Sequence, residues 1–214
     1  MIPPGLRLAL GCLTILPGGP RGEARELPFG AAWAWFPVIG LGIGAILLGV
    51  QALCSRWGAP LVTAAAVLLA WIVVTGALHL DGLGDCCDGL MGGATREDRL
   101  RIMKDPHVGC LAVIAIAMLL IAKFALLASL SSWLVKASLL LAPCLGRYTM
   151  VLLGTTLPTA RADGTAAPFV QHARPRALIA ATIVTAAACV LLRGMAGMWL
   201  FALVVVTGLG LRTL

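Results

Sequence analysis

Charged residues are scarce in this sequence. Only 12% of its 214 residues are Asp, Glu, Lys or Arg, whereas 60% are hydrophobic. A soluble globular domain has about 25% charged residues, so this chain has too few to cover a surface that faces water. The scarcity excludes an ordinary soluble domain and favours a protein surrounded mainly by lipid.

Aromatic residues are also few, with six Trp, five Phe and one Tyr. A protein that binds nucleic acid combines clustered basic residues with aromatic side chains that stack on bases. The formal net charge of +7 is therefore not evidence for a nucleic-acid partner, and none is expected. The seven Cys residues include no Cys-x-x-Cys pair of the kind that binds zinc. We expect reduced, structural thiols, and the sequence assigns no role to the adjacent Cys86 and Cys87.

Long apolar runs, in contrast, are abundant. A transmembrane helix needs about 20 mostly apolar residues, and most of these runs lack the polar stripe of a soluble helix. The predicted spans are about Ala31–Cys54, Leu61–Leu78, Gly109–Leu130, Leu134–Leu153, Ala177–Leu192 and Met195–Leu211. The predicted fold is all-α: a single domain over residues 1–214 that forms a polytopic transmembrane helical bundle of about six spans. A further run, Leu8–Leu16, is too short to span, and we predict a short N-terminal interfacial or re-entrant helix there.

The positions of the basic residues predict an orientation, because cytoplasmic loops of membrane proteins are enriched in Lys and Arg. Eleven of them fall in the N-terminal segment, the loop between the second and third spans, the loop between the fourth and fifth spans, and the C-terminal end. Only three fall on the opposite side. Both termini and these two loops are therefore expected to face the cytoplasm.

The acidic residues are concentrated directly after the second span, where six of the nine Asp and Glu residues lie between Asp81 and Asp105. Asp81, Asp85 and Asp88 have the spacing i, i+4, i+7, which places three carboxylates on one helical face. A cation between them would relieve their repulsion, and oxygen ligands suit Mg²⁺ or Mn²⁺ better than zinc. The pattern predicts a metal site at these three residues. The alternative, an ordinary solvated loop, explains neither the helical spacing nor the basic residues that follow.

Several basic residues near this cluster are candidates for binding substrate. Arg96, Arg101 and Lys104 could clamp phosphate, although mixed charge of this kind is also typical of a solvated helix face. Lys123 and Arg147 lie within predicted spans, where cations are costly and usually face a partner or a wet cavity; Arg147 could instead reach the membrane surface.

Two further residues are ambiguous on spacing alone. Arg161, in the loop after the fourth predicted span, could belong to a site or to an ordinary turn. His79 is compatible with metal binding, with base catalysis and with a structural role.

The segment Thr75–Gly89 resembles the cobalamin synthase family, also called the adenosylcobinamide-GDP ribazoletransferase family. The family pattern T-G-x-x-H-x-D-G-x-x-D-x-x-D-G is met over this segment without a mismatch. Ile102–Gly109, Lys123, Arg147 and Ala160–Gly164 resemble the family as well. The likeness covers nearly the whole chain, and its central motif is highly specific.

The sequence departs from the family at two places. The opening Thr14 and Pro17 resemble the family, but Ile15 and Leu16 stand where a basic residue is usual. Family members also continue into a Gly-rich T-G-D segment with further acidic residues, whereas this sequence stops at Leu214. We therefore expect residues 1–214 to lack the family's C-terminal segment.

The resemblance implies a Mg²⁺-dependent transferase of late cobalamin biosynthesis in a bacterial-type inner (cell) membrane. Its substrates would be adenosylcobinamide-GDP and α-ribazole or its 5′-phosphate, and a homo-oligomer is compatible with it. A ribazole hydroxyl would attack the phosphorus attached to cobinamide, and GMP would leave. The implied catalytic residues are Asp85, Asp88 and His79; the metal ligands are Asp81, Asp85 and Asp88; the substrate-binding residues are Arg96, Arg101, Lys104, Asp105, Lys123, Arg147 and Arg161. The residue that takes the hydroxyl proton is left open among Asp85, Asp88 and His79.

Two rival functions are weighed against this one. A CDP-alcohol phosphotransferase or an aromatic prenyltransferase would carry a different Asp motif, which the sequence lacks. A transporter would show broken, Gly-rich spans with charges at the bilayer midplane, and Gly40, Gly42 and Gly44 in the first span hint at that. Small residues more often serve helix packing, and the acidic residues here lie outside the spans, which favours chemistry over conduction.

Overall fold

The structure is a computed structural model that describes residues 2–19 and 27–211. Within those ranges the regular elements are helices, and no strand is present. The described helices that are long and apolar enough to cross a membrane are Phe29–Trp57, Cys110–Ser129, Trp133–Thr156 and Pro175–Gly210; a sharply bent pair, Pro60–Val74 with Leu78–Gly92, makes up to five. The chain is therefore an all-α, multi-pass membrane protein, as predicted. The count by length stays below the predicted six because Pro175–Gly210, which covers the predicted fifth and sixth spans, is taken as one helix.

The chain divides into two compact units. The terminal unit comprises Met1–Gly49 and Ser132–Leu214, and the central unit comprises Val50–Ser131. In the terminal unit lie α1 (Pro4–Leu13), α2 (Phe29–Ala32), most of α3 (Phe36–Cys54), α8 (Ser132–Thr156), α9 (Ala167–Gln171) and α10 (Pro175–Gly210). In the central unit lie α4 (Pro60–Val74), α5 (Leu78–Gly92), α6 (Arg96–Ile102) and α7 (Cys110–Ser129).

The short N-terminal helix is confirmed as α1, although it begins at Pro4 and ends at Leu13 rather than covering Leu8–Leu16. Proline suits the first turn of a helix, where its missing N–H is not needed. Thr14 closes the helix, since its hydroxyl donates to the carbonyl of Leu10 at 2.8 Å. The interfacial placement of α1 stays a prediction.

Helices α3 and α8 approach each other closely at two glycines of α3. A β-carbon built on Gly40 would lie 2.6 Å from the carbonyl oxygen of Pro143, and one on Gly44 would lie 2.5 Å from that of Leu139. A β-carbon on the neighbouring Gly42 would meet no atom of the described residues within 4 Å. The spacing of Gly40 and Gly44 therefore serves helix packing, not the broken span of a transporter.

The element α10 is a helical hairpin and not one straight helix. Gly194 has φ 54° and ψ −132°, a conformation outside the helix and strained for any residue with a side chain. Tyr148 contacts both Thr182 (oxygen to oxygen, 3.2 Å) and Phe201 (ring centroids 5.2 Å apart). In a straight helix those two partners would be about 28 Å apart, so the arms must fold back on each other. The arms correspond to the predicted fifth and sixth spans.

An aromatic cluster fixes α9 against the start of the first span. The ring of Phe169 packs edge-on against Phe29, Trp33 and Phe36, with centroids 4.9, 5.7 and 5.8 Å away. The indole Nε1 of Trp33 also donates a buried hydrogen bond to the carbonyl of Phe169 at 2.8 Å. Because a buried indole N–H needs such a partner, this contact holds α9 and the segment before it in one position.

In the central unit the predicted second span ends early, and the chain turns. Helix α4 stops at Val74, and α5 starts at Leu78 at an angle of 83° to it. Gly76 and Ala77 both have φ 57° in this turn. An alanine in the left-handed region costs roughly 1 kcal/mol, so the bend is held by the packing around it: α4 and α5 both pack against α7.

The outward faces of the long helices are apolar. On α7, the side chains of Val113, Ile114, Met118 and Ile121 are each more than half exposed. A soluble protein rarely exposes so large an apolar patch. A lipid bilayer is the solvent that suits this surface.

Candidate active site

The Asp motif lies on a helix. The sequence indicated a loop after the second span, and the structure places the whole stretch in α5, Leu78–Gly92. The predicted helical spacing is therefore confirmed, and the loop is not. Glycines on α5 allow close packing of its neighbours: a β-carbon on Gly84 would lie 3.2 Å from that of Ala112 on α7, and one on Gly89 would lie 2.6 Å from Cγ of Met103.

A cavity of about 230 Å³ lies beside α5 in the central unit. Its polar side chains come from α5 and from the segment between α6 and α7: Asp81, Asp85, Asp88, Lys104, Asp105 and His107. Its apolar wall includes Ala112 and Ile116 of α7. The structure thus brings together the three predicted metal ligands and two of the predicted substrate-binding residues.

Asp88 anchors the start of α7. Its Oδ2 accepts a hydrogen bond from the backbone N–H of Gly109 at 2.7 Å, and its Oδ1 accepts one from Ala112 at 2.9 Å. The first N–H groups of a helix have no partner inside the helix, and a carboxylate there is stabilised by the helix dipole. Asp88 therefore has a positioning role, and its predicted roles as ligand and base stay predictions.

The segment between α6 and α7 is ordered by Asp105 and His107. Asp105 Oδ1 accepts from the backbone N–H of His107 at 2.9 Å and lies 2.6 Å from its ring Nδ1. These hydrogen bonds, the backbone one first, lower the pKa of Asp105 below its ordinary value. The carboxylate stays ionised and holds the His107 ring, which lines the cavity.

Helix α6 carries the two predicted arginines, and neither is among the cavity's lining residues. Arg101 Nη2 is 3.0 Å from Asp98 Oδ1, and both side chains are exposed. Thr95 caps the helix: its Oγ1 accepts from the N–H of Asp98 at 3.1 Å and donates to Asp98 Oδ2 at 2.9 Å. The Thr95 hydrogen bond, followed by that of Arg101, lowers the pKa of Asp98.

We expect Thr95→Ala to loosen α6 without abolishing function. Loss of a helix N-cap costs about 1 kcal/mol, which corresponds to roughly fivefold faster amide exchange across Arg96–Ile102. Hydrogen exchange followed by mass spectrometry measures this effect, with Thr95→Ser as the control that keeps the hydroxyl. Equal exchange in both variants would contradict the capping role.

The residues of the cavity fit the predicted metal site only in part. Among residues 2–19 and 27–211, no three His, Cys, Asp or Glu side chains are arranged to hold a metal ion. Mg²⁺ commonly uses one or two carboxylates and completes its shell with water and substrate phosphate oxygens. Asp81 and Asp85 line the same cavity and supply such oxygens, so the donor chemistry suits Mg²⁺ once a phosphate-bearing substrate is bound.

The other predicted residues lie away from this cavity. His79 is on α5 but is not among the lining residues. Lys123 stands over the ring of Trp71, 4.2 Å from its centroid, and so joins α7 to α4. In the terminal unit, Arg147 is 4% exposed, and its Nε and Nη2 atoms have no hydrogen-bond partner among the described residues. Arg161 lines a separate cavity of that unit.

His107 is the cavity residue that the sequence analysis missed. It stands two residues after Asp105, and the Asp-x-His spacing could have drawn attention to it. The backbone donors Gly109 and Ala112 carry no such signal, since their partner Asp88 is 21 and 24 positions earlier in the chain.

Comparison with known proteins gives a consistent result. The family described as "CobS: Cobalamin-5-phosphate synthase" matches residues 5–214. A protein named adenosylcobinamide-GDP ribazoletransferase from Pseudomonas savastanoi pv. phaseolicola (strain 1448A / Race 6) is 42% identical over 194 residues, which cover 88% of this chain and 76% of the relative. The protein of the same name from Chlorobium phaeobacteroides (strain BS1) is 40% identical over 186 residues, covering 84% and 72%. That from Pseudomonas fluorescens (strain SBW25) is 35% identical over 209 residues, covering 97% and 86%. No solved structure matches the chain.

Proposed function

This chain belongs to the cobalamin-5-phosphate synthase family, and we propose that it joins adenosylcobinamide-GDP to α-ribazole or its 5′-phosphate, with release of GMP. It is an enzyme of cobalamin biosynthesis, a membrane transferase. Because the chain belongs to this family, the alternative functions of a CDP-alcohol phosphotransferase and a transporter are set aside. The observation that carries the proposal is the convergence of Asp81, Asp85 and Lys104 in one cavity.

In the proposed reaction a ribazole hydroxyl oxygen forms a bond to the phosphorus attached to cobinamide. The bond from that phosphorus to the bridging oxygen of the diphosphate breaks, and the electrons leave with GMP. Catalysis of phosphoryl transfer consists mainly of positioning and charge neutralisation. The cavity volume of about 230 Å³ is too small for a corrinoid, so only the diphosphate portion would enter, with its two large substituents outside.

The residues in the cavity, and the two arginines of α6 outside it, each have a proposed part in this reaction. Lys104 neutralises charge on the diphosphate. Asp85 takes the proton from the attacking hydroxyl: it lines the cavity, whereas His79 is not a lining residue and the Asp88 carboxylate already accepts two hydrogen bonds from the start of α7. Asp105 holds the segment that carries Lys104 and His107. Arg96 and Arg101 act on the leaving group, and Arg101 would exchange its exposed Asp98 partner to do so.

Magnesium, or manganese in its place, would be held by Asp81 and Asp85. When bound it would supply positive charge to the diphosphate oxygens. Lys123 and Arg147 are assigned to substrate through the family resemblance, and their roles remain part of this proposal. The inner-membrane location and the cytoplasmic placement of the termini and of α5 are also part of this proposal. The cytoplasmic placement rests on the distribution of Lys and Arg.

The purified chain in liposomes should release GMP from adenosylcobinamide-GDP and α-ribazole 5′-phosphate only in the presence of Mg²⁺ or Mn²⁺. Chelation should reduce the rate by about a hundredfold or more, and added Mg²⁺ should restore it. GMP and the corrinoid product are measured together by chromatography.

Reactions without either organic substrate serve as controls for hydrolysis. Full activity in excess chelator would remove the metal from the proposal while leaving the transferase reaction in place. Release of GMP without a joined corrinoid product would contradict the transfer itself.

A further inference from the structure

One end of the terminal unit carries a stacked pair of side chains from two different helices. The guanidinium carbon of Arg193 lies 4.3 Å from the centroid of the Trp133 ring. Arg193 ends the first arm of the α10 hairpin, directly before the break at Gly194, and Trp133 is in the first turn of α8. A cation is attracted to the face of an indole ring in this way. The contact therefore joins the tip of the hairpin to the start of α8.

Packing also fixes the backbone on which Arg193 stands. A β-carbon built on Gly197, in the second arm, would lie 3.0 Å from Cβ of Arg193 and would collide with the carbonyl of Cys189. The two arms are thus in direct contact on both sides of the break. Because its backbone is held by the hairpin and its guanidinium by Trp133, Arg193 loses little freedom when it binds a ligand.

The Arg193 guanidinium is poorly satisfied inside the protein. Its Nη1 atom is buried and has no hydrogen-bond partner among the described residues. The one carboxylate in the described part of the terminal unit is Asp163, which follows the far end of α8. From Trp133 to Thr156 that helix is roughly 35 Å long, so Asp163 is far out of reach. A buried charged donor is costly to leave without an acceptor, and this geometry favours an anion from outside the protein.

A second cation stands on the same face of α8. Lys136 is exposed and follows Trp133 by three positions, and residues with that spacing are neighbours on a helix surface. Both Arg193 and Lys136 fall on the side of the membrane opposite to that of the basic loops, which is the non-cytoplasmic side by the distribution of Lys and Arg. This end of the unit therefore has positive charge that no described carboxylate of the unit balances.

The residues on either side of Arg193 are apolar and face outward. Leu191 and Met195, two positions before and after it, are 83% and 71% exposed, and the Trp133 ring is also largely exposed. In a bilayer such side chains contact acyl chains, and Trp is enriched at the level of the lipid headgroups. A cation at headgroup level with exposed apolar side chains beside it matches the chemistry of a phospholipid.

We propose that the start of α8 and the tip of the α10 hairpin together bind one anionic phospholipid. Its phosphate accepts hydrogen bonds from Arg193, its headgroup lies near Lys136, and its acyl chains lie along the hairpin. Phosphate oxygens match the planar donors of a guanidinium. Two cations without a carboxylate favour a lipid with net negative charge over a zwitterionic one. The inference is independent of the proposed function, since neither cation lines the Asp cavity.

Native mass spectrometry of the purified chain, titrated with phosphatidylglycerol or with phosphatidylcholine, measures the dissociation constant of the first bound lipid. Arg193→Ala should weaken binding of phosphatidylglycerol by roughly 10- to 100-fold, the range expected for a charge-assisted hydrogen bond. Phosphatidylcholine should bind the unaltered protein more weakly, and its affinity should change by less than about threefold in the variant. Arg193→Lys keeps the charge but loses the planar donors, and we expect an intermediate loss.

Arg56→Ala is the matched control. Arg56 is an exposed cation that the distribution of Lys and Arg places on the same side of the membrane, but it belongs to the central unit. The affinity for phosphatidylglycerol should stay within about twofold, as is usual for a surface substitution. Should Arg193→Ala fail to fold, as judged by size-exclusion chromatography, the comparison of Arg193→Lys with Arg56→Ala decides the question.

Equal affinity of the Arg193 variants and the unaltered protein for phosphatidylglycerol would overturn the inference and leave the stacked pair as an anchor at the membrane surface. An equal loss in Arg193→Ala and Arg56→Ala would overturn it as well, and so would equal binding of the two lipids by the unaltered protein. Either result would mean contact with lipid that is not selective. No substrate takes part in this measurement, so failure of the proposed function, seen as absent GMP release, does not affect its outcome.

Discussion

Replacement of Asp85 by asparagine should lower the rate of GMP release by about a thousandfold or more. The substitution keeps the size of the side chain but removes the negative charge, and with it the acceptor for the hydroxyl proton and one proposed metal ligand. General base catalysis and charge stabilisation each contribute about 10²–10⁴-fold in enzymes. Steady-state turnover in liposomes measures the effect, and a thermal melt shows whether the fold is retained.

Glu97→Gln is the matched control for this prediction. It removes a carboxylate from α6 of the same unit, at a position that does not line the cavity. The rate should stay within about twofold, as is usual for a surface substitution. If Asp85→Asn keeps more than a tenth of the activity, Asp85 is neither the base nor an essential ligand, and His107 becomes the next candidate.

Gly109→Ala should damage both stability and rate, although it adds one methyl group. A β-carbon at Gly109 would lie 2.5 Å from Asp88 Oδ1 and 2.7 Å from its Cγ. Contacts this short are not tolerated, so the Asp88 carboxylate must move away from the N–H groups of Gly109 and Ala112. Loss of two hydrogen bonds to a charged group should cost roughly 2–4 kcal/mol, and a displaced α7 should lower the rate by about a hundredfold.

Gly82→Ala is the matched control for Gly109→Ala. Gly82 lies in α5 beside Asp81, and a β-carbon there would meet nothing within 4 Å. Alanine in place of glycine inside a helix should raise stability by up to about 1 kcal/mol. Opposite shifts of the thermal midpoint are therefore expected for the two variants. A Gly109→Ala protein with unchanged midpoint and rate would show that the Asp88 anchor is dispensable.

Much of the site could be predicted because its chemistry is local in the sequence. Asp81, Asp85 and Asp88 are one and two turns apart on a single helix, and helical periodicity alone puts them on one face. Lys104 and Asp105 follow in the same unit, directly after the short helix α6. The spacing therefore predicted Asp81, Asp85 and Asp88, the basic stretch after them indicated Lys104, and the family resemblance supplied Asp105.

The parts that could not be predicted depend on contacts between distant positions. Hydropathy continues through Leu78, so the apolar run gave no sign that α4 ends at Val74 and turns at Gly76 and Ala77. Alanine is not a residue that signals a left-handed turn, and the turn is maintained by the backbone hydrogen bonds of Gly76 and Ala77 and by the packing of α4 and α5 against α7. The bond from Asp88 to the start of α7 joins residues more than 20 positions apart, which no periodicity indicates.

The break at Gly194 has a topological consequence. A membrane protein gains or loses one crossing whenever a long apolar helix bends back instead of continuing, so the parity of crossings after α8 depends on two torsion angles of one residue. Because the hairpin is folded, residues near Gly210 return to the side of the bilayer on which Pro175 begins. A β-carbon built on Gly194 would meet no described atom within 4 Å apart from its neighbours in the chain, so the fold back at this point depends on the backbone conformation of Gly194 and on contacts between the arms and α8. With both arms crossing the bilayer, residues that follow α10 would lie in the compartment that also receives the segment carrying Arg161.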